Sequence, residues 1–226
     1  MAILNIKENK VKATVFAVTG FYLVLVALFY AYVPMPYKFR LPVGLLFVAS
    51  LWLTPWEMSL ALLLSAMGDY AGTTGHFIAQ MATFAVAHIF YITFFVRRYI
   101  RKGTKMTSKM KGYLMMLGIC VAALIALIFV KVVPAAPAGV LRIGVSIYAL
   151  MISAMLYTAL MQRSLFYALG ALLFVISDFI LAWNKFIEPV PYRDILVLGT
   201  YFAAQWLLFI RATPYRVKHP VHLMRF

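Results

Sequence analysis

The stretch "ALGALLFVISDFILAW" (Ala168–Trp183) is apolar, glycine or aromatic everywhere except at Ser177 and Asp178. A run of this composition reads as a helix buried in an apolar medium, and a carboxylate is out of place there. Ionisable groups inside spans usually face a bundle interior and mark function, so Asp178 needs both a setting and a task.

The setting follows from composition. The chain has 226 residues, of which 65% are hydrophobic and 12% charged, with a mean hydropathy of +0.93. A soluble domain of this length needs far more polar surface, so the chain reads as a polytopic membrane protein. The net charge of +15 does not point to nucleic acid, because the basic residues lie between the apolar runs, where loops meet anionic headgroups. The single cysteine, Cys120, excludes disulfides and cysteine metal clusters and reads as inert core. The first apolar run has no cleavage site after it and reads as a span.

A membrane crossing takes roughly 20 helical residues. Eight apolar runs meet or approach that length: 13–33, 38–54, 55–72, 77–96, 112–133, 138–160, 164–183 and 194–211. The expected fold is therefore all-α, one transmembrane domain of eight helices over residues 1–226. "TPWE" (Thr54–Glu57) reads as a capping box separating the second run from the third, which gives Glu57 a structural role. With eight spans both termini share a side, and 15 of the 21 basic residues fall on it. The positive-inside rule then makes the termini cytoplasmic, as for a protein of a bacterial inner membrane. "LLLSAMGDY" (62–70) and "LLFVISDFI" (172–180) each end in a small residue and an aspartate. "FAVAH" (84–88) and "YFAAQ" (201–205) follow them at matching places. The echo predicts two parallel four-helix repeats.

The polar residues inside these runs are Asp69, His88 and Asp178, with Ser65, Tyr91, Tyr201 and Gln205 near them. At 100° per residue, Ala171 lies about 20° and Ala182 about 40° from Asp178, a small-residue face that turns the aspartate toward neighbouring helices. Met81, Phe84 and Tyr91 share the face of His88. Arg142, about one turn inside its span, is a candidate partner for a lipid phosphate. No HExxH spacing, Gly-rich phosphate loop or GxSxG elbow appears, so neither a metal nor a nucleotide cofactor is expected.

"SAMGDY" (65–70), "FAVAHIFYI" (84–92), "ALGALLFVISDFILA" (168–182) and "YFAAQWLLF" (201–209) resemble, in order and spacing, the characteristic segments of the YhhN family of integral membrane lysoplasmalogenases. The resemblance implies hydrolysis of the vinyl ether bond of a lysophospholipid, releasing a fatty aldehyde and a glycerophospho-base. It places the family aspartates on Asp69 and Asp178, its AHxxY word on His88 and Tyr91, and its YxxAQ word on Tyr201 and Gln205. The chemistry suits the residues. Protonating the vinyl carbon distal to oxygen gives an oxocarbenium ion that water captures, and two carboxyls in different surroundings can divide that work. A lipid or ion transporter, or a non-catalytic lipid-binding protein, also accounts for intramembrane Asp and His. The catalytic reading expects one laterally open pocket containing Asp69, His88, Asp178 and Gln205.

Overall fold

Apolar runs bounded by proline, glycine and basic residues give eight helices in the computed structural model. It describes residues 2–31, 41–103 and 106–218, with the side chains of 9–31, 41–103 and 106–213. The helices are α1 (Ala2–Tyr30), α2 (Leu41–Leu53), α3 (Trp56–Thr73), α4 (Phe77–Arg101), α5 (Ser108–Lys131), α6 (Val140–Leu160), α7 (Leu165–Phe186) and α8 (Arg193–Lys218). Among the described residues there is no strand. Six of the helices, α1 and α4 to α8, are long and apolar enough to cross a membrane. With 13 residues α2 reaches only about 20 Å, and α3 carries Glu57 and Asp69 within its 18. Several helices outrun the apolar segments expected of them, because Lys and Arg continue a helix while their heads reach water.

Two local expectations are corrected. At the start of α3 the N-cap position is Pro55, with no side-chain cap. The Thr54 hydroxyl instead donates back to the Ser50 carbonyl at 3.1 Å. Glu57 leaves the would-be capping box to accept from Arg97 Nη1 of α4 at 2.5 Å. A charge-assisted bond to a guanidinium outcompetes a backbone amide, so Glu57 is structural, but by tying α3 to α4. Cys120 is exposed rather than core, because α5 packs on α6 alone.

The helices pack as a ring. α3 lies on α4, α4 on α6, α6 on α7 and α7 on α8, while α2 closes the circle between α3 and α8. α1 lies outside α2 and α8, held by Tyr22 donating to the Phe202 carbonyl at 2.8 Å and by Trp206 Nε1 donating to Thr19 Oγ1 at 3.2 Å. α4 makes no close backbone approach to α7 or α8 across the ring. Aromatic side chains fill that width instead. Phe84 meets Phe174 and Tyr201 edge-on, and Phe174 meets Tyr201 and Tyr91. Rings suit a wide gap because each fills much space in few rotamers, and their edges pack onto neighbouring faces.

Candidate active site in the bundle interior

Each polar residue of interest reaches the interior from a different wall. Asp69 sits four residues before the end of α3, about 6 Å from that end. Asp178 sits eight before the end of α7, about 12 Å in and deeper than the apolar run implied, since α7 continues to Phe186. His88 and Gln205 enter from the same end of the bundle, eleven residues into α4 and twelve into α8. Near Asp69 the backbone comes close. A Cβ at Gly68 would lie 2.6 Å from the Phe84 ring, so glycine there admits the ring that walls the site.

Two tyrosine–carboxylate pairs form the heart of the site. Tyr201 donates to Asp69 Oδ2 at 3.0 Å, and Tyr148 donates to Asp178 Oδ2 at 2.5 Å. The carboxyls are close enough for their charges to interact. Behind Asp69 the polar groups continue. Tyr91 donates to Gln205 Oε1 at 2.6 Å, Gln205 neighbours Tyr201, and Ser65 approaches the Tyr91 hydroxyl without hydrogen-bond geometry. His88 shares its Nδ1 proton with the Phe84 carbonyl at 2.7 Å. That fixes the neutral tautomer whose Nε2 accepts. Its ring stands against Tyr148 and Phe174, at centroid distances of 5.4 and 4.9 Å. His88 Nε2, Gln205 Nε2 and Ser65 Oγ are buried with no hydrogen-bond partner. Buried polar atoms are normally satisfied, so three orphans on three facing helices point to a small polar occupant such as water.

A cleft borders the second of these pairs. A small open cleft, with a cavity volume of about 40 Å³, is walled by Ile128 and Val132 of the α5 side, Val145, Tyr148 and Ala149 of α6, and Asp178 and Ala182 of α7. Its accessible walls are apolar, and Tyr148 and Asp178 are among the residues that border it. Of the four residues expected in one pocket, Asp178 borders this cleft.

Arg142 stands outside the interior cluster. Its Nε and Nη2 donate to the Ala136 carbonyl at 3.0 and 2.8 Å, and Nη2 also to the Pro134 carbonyl at 3.1 Å. It thereby fastens the α5–α6 turn at the mouth of the cleft. Lys185 lies over the Phe77 ring at 5.1 Å, Arg193 pairs with Asp194 at 3.1 Å, and Arg40 lies outside the described residues. Tyr148 was missed in the sequence, because "RIGVSIYALMIS" carries no acidic or histidine neighbour to mark it. Ser177, beside the aspartate in sequence, donates to the Val197 carbonyl at 2.9 Å and so joins α7 to α8. Among the described residues no three His, Cys, Asp or Glu side chains gather as metal ligands.

The whole interior, from Ser65 to Gln205, falls within residues 36–212, which match the YhhN family. The chain belongs to that family. It is 31% identical over 153 residues to lysoplasmalogenase TMEM86B of Homo sapiens, covering 67% of this chain and 61% of the relative. It is also 31% identical over 168 residues to human lysoplasmalogenase TMEM86A, covering 69% and 64%. Lysoplasmalogenase TMEM86B of Sus scrofa is 32% identical over 149 residues, covering 66% and 59%. The chain thus spans about three fifths of the length of these relatives. No solved structure matches it.

Proposed function

We propose that this protein is a lysoplasmalogenase that cleaves the vinyl ether bond of a lysophospholipid within the membrane. The observation that carries the reading is the Tyr148–Asp178 pair, held in the bundle interior beside an apolar cleft. Names of relatives and family membership point the same way. A single acyl-type chain lies along the apolar walls, with its vinyl ether at the polar end and its phosphate toward Lys185 and the remaining Arg142 amino group. Membrane lipids surround the bundle and deliver the substrate laterally.

Asp178 is the proton donor in this scheme. Tyr148 donates to Oδ2, which leaves Oδ1 to carry the acidic proton. That proton passes to the vinyl carbon distal to oxygen, and the adjacent carbon becomes an oxocarbenium ion stabilised by the resulting carboxylate. Water held by His88 Nε2, Gln205 Nε2 and Ser65 adds to the cation and returns a proton to the Asp178 carboxylate, forming a hemiacetal and restoring the acid. Asp69, held by Tyr201, orders this water and offsets the positive charge. The hemiacetal loses its hydroxyl proton, the carbon–oxygen bond to glycerol breaks, and the glycerol oxygen takes up a proton. One water is consumed, and aldehyde and glycerophospho-base leave.

The same reading takes all eight helices as membrane-embedded, with termini on the cytoplasmic side of a bacterial inner membrane, in one domain of two four-helix repeats. Consecutive packing within α1–α4 and within α5–α8, and the matching α4–α6 and α8–α2 contacts, support the repeats. The test is purified, detergent-solubilised protein incubated with lysoplasmenyl-ethanolamine, scored by aldehyde release. An ester-linked lysolipid serves as the control. Stoichiometric aldehyde from the vinyl ether alone is expected. Its absence, with the lipid bound or moved across vesicles intact, would replace the hydrolase with the binding or transport reading.

A further inference from the structure

The opposite end of the bundle carries a feature that the reaction does not use. The turn between α6 and α7 (161–164) is pinned from below by buried Gln162, whose Nε2 donates to the Phe95 carbonyl of α4 at 2.9 Å. Around this turn gather cations from three segments. Lys102, just past α4, donates to the Gln162 carbonyl at 3.1 Å. Arg211 of α8 donates through Nε to Ser164 Oγ at 3.2 Å. The guanidinium carbons of Arg98 and Arg211 lie 5.5 and 5.6 Å from the ring centre of buried Tyr167. Arg163 itself holds φ at +51°, a left-handed conformation that usually falls to glycine or asparagine. A strained backbone that retains a long basic side chain points to a use for that side chain.

Gathering like charges is unfavourable without a counter-ion. Among the described residues the acidic side chains are placed elsewhere: Glu57 is held by Arg97, Asp69 and Asp178 face the interior, and Glu188 and Asp194 stand on the far side, around the α7–α8 turn. Glu8 has its side chain outside the described residues. Burial and the neighbouring charges of Arg98, Arg163 and Arg211 hold the Lys102 ammonium below the usual lysine value. Lys102, Arg163 and Arg211 repel one another in the absence of an anion.

We propose that Lys102, Arg163 and Arg211 form a binding site for a phosphate group at this end of the bundle. The Arg211 guanidinium, fixed on Tyr167, presents its fork without further ordering, and forks match phosphate oxygens. This site is separate from the substrate's own headgroup. Leu165, at the start of α7, is thirteen residues from Asp178, or about 20 Å along the helix, and a glycerol backbone is far shorter. The phosphate belongs to an anionic lipid of the facing leaflet or to a free phosphate compound, and the two sources separate experimentally.

The probes are phosphatidylglycerol added to detergent-solubilised protein and, in parallel, sodium phosphate at constant ionic strength. Binding is read as a saturable rise in Tm and as retained adducts in native mass spectrometry. The test variant combines Lys102→Gln, Arg163→Asn and Arg211→Gln, with asparagine chosen because it tolerates the left-handed backbone. Lys131→Gln, at the other end, controls for lost charge. Apparent affinity should fall about tenfold or more in the triple variant and remain in the control. Stabilisation by the lipid alone identifies a headgroup site, and stabilisation by sodium phosphate as well identifies a general phosphate site. No saturable response in the wild type, or an equal response in wild type and triple variant, overturns the proposal. Should the triple variant fail to fold, Arg211→Lys decides. It keeps the charge but loses the fork, so unchanged affinity counts against the site.

Discussion

Asp69 and Asp178 occupy matching words of the sequence, and each accepts a hydrogen bond from a tyrosine, yet the two tyrosines are not equivalent. Asp178 takes its partner from α6, within its own half of the chain. Asp69 takes its partner from α8, in the other half. Behind Asp69 lie more polar groups, Gln205, Tyr91 and Ser65, whereas Asp178 fronts an apolar cleft. Similar words thus give one carboxyl bordering an apolar cleft and one joined to further polar groups. A reaction needing both a proton donor for an apolar substrate and a place for water requires that asymmetry.

The largest effect should come from removing the acid. Asp178→Asn keeps the volume and the bond from Tyr148 but carries no transferable proton. Loss of the donor removes a contribution typically of 10²–10⁴-fold, so aldehyde release should fall by at least that range with Tm nearly unchanged. Turnover above a tenth of wild type would end the assignment of Asp178 as donor. Asp69→Asn should also lower kcat strongly. If it proved the more severe of the two, the roles of the carboxyls would have to be exchanged.

A smaller effect, and a sharper one for the comparison, is expected at the tyrosines. Tyr148→Phe removes the bond that orients the donor, and Tyr201→Phe removes the one that orients Asp69. Hydrogen bonds to charged groups contribute about 1.5–3 kcal/mol, which corresponds to roughly 10- to 100-fold in rate if expressed in the transition state. Both variants should lower kcat with little change in KM. An unaffected Tyr148→Phe enzyme would leave the cleft-end pair without a mechanistic part. Blocking the cleft should do the reverse. Ala182→Trp, placed on its wall, should raise KM about tenfold while leaving kcat near wild type, the signature of binding lost equally from ground and transition states. Arg142→Ala should act in the same direction more weakly, since that side chain already holds the α5–α6 turn.

What was legible in the sequence follows a physical divide. Helix existence was readable because apolar runs and their basic borders are local signals, and the borders matched α2, α3, α6 and α7 within about three residues. Asp69, His88, Asp178, Tyr201 and Gln205 stood out because polar atoms are rare in such runs, and the ring of helices turns all five inward. Partnership was not readable. Tyr148 is 30 residues from Asp178 in sequence, and a tyrosine in an apolar helix resembles any aromatic filler. The bond of Glu57 to Arg97 and the backbone bonds of Arg142 were not readable for a related reason. Their roles depend on which helix end or backbone turn comes near, and no spacing within one segment encodes that.

The smallest predicted effect concerns the residues beside the aspartates, where the two words differ by one atom pattern. Gly68 precedes Asp69, and Ser177 precedes Asp178. A Cβ at Gly68 would meet Phe84 Cε2 at 2.6 Å and Cδ2 at 2.7 Å, so Gly68→Ala must push back a ring that is wedged between Phe174 and Tyr201. Overpacking of this kind costs about 1–3 kcal/mol, and the displaced ring presses on the tyrosine that holds Asp69. Ser177→Ala instead deletes the hydroxyl bonded to the Val197 carbonyl. It loses about 1 kcal/mol through that bond, between α7 and α8, with no ring to move. Both variants should fold and show lowered Tm. Activity measured well below each Tm should fall in Gly68→Ala, through Tyr201, and stay near wild type in Ser177→Ala. Equal activities would mean that the Phe84 wall and the carboxylate behind it are uncoupled, and that the glycine of the first word serves packing alone.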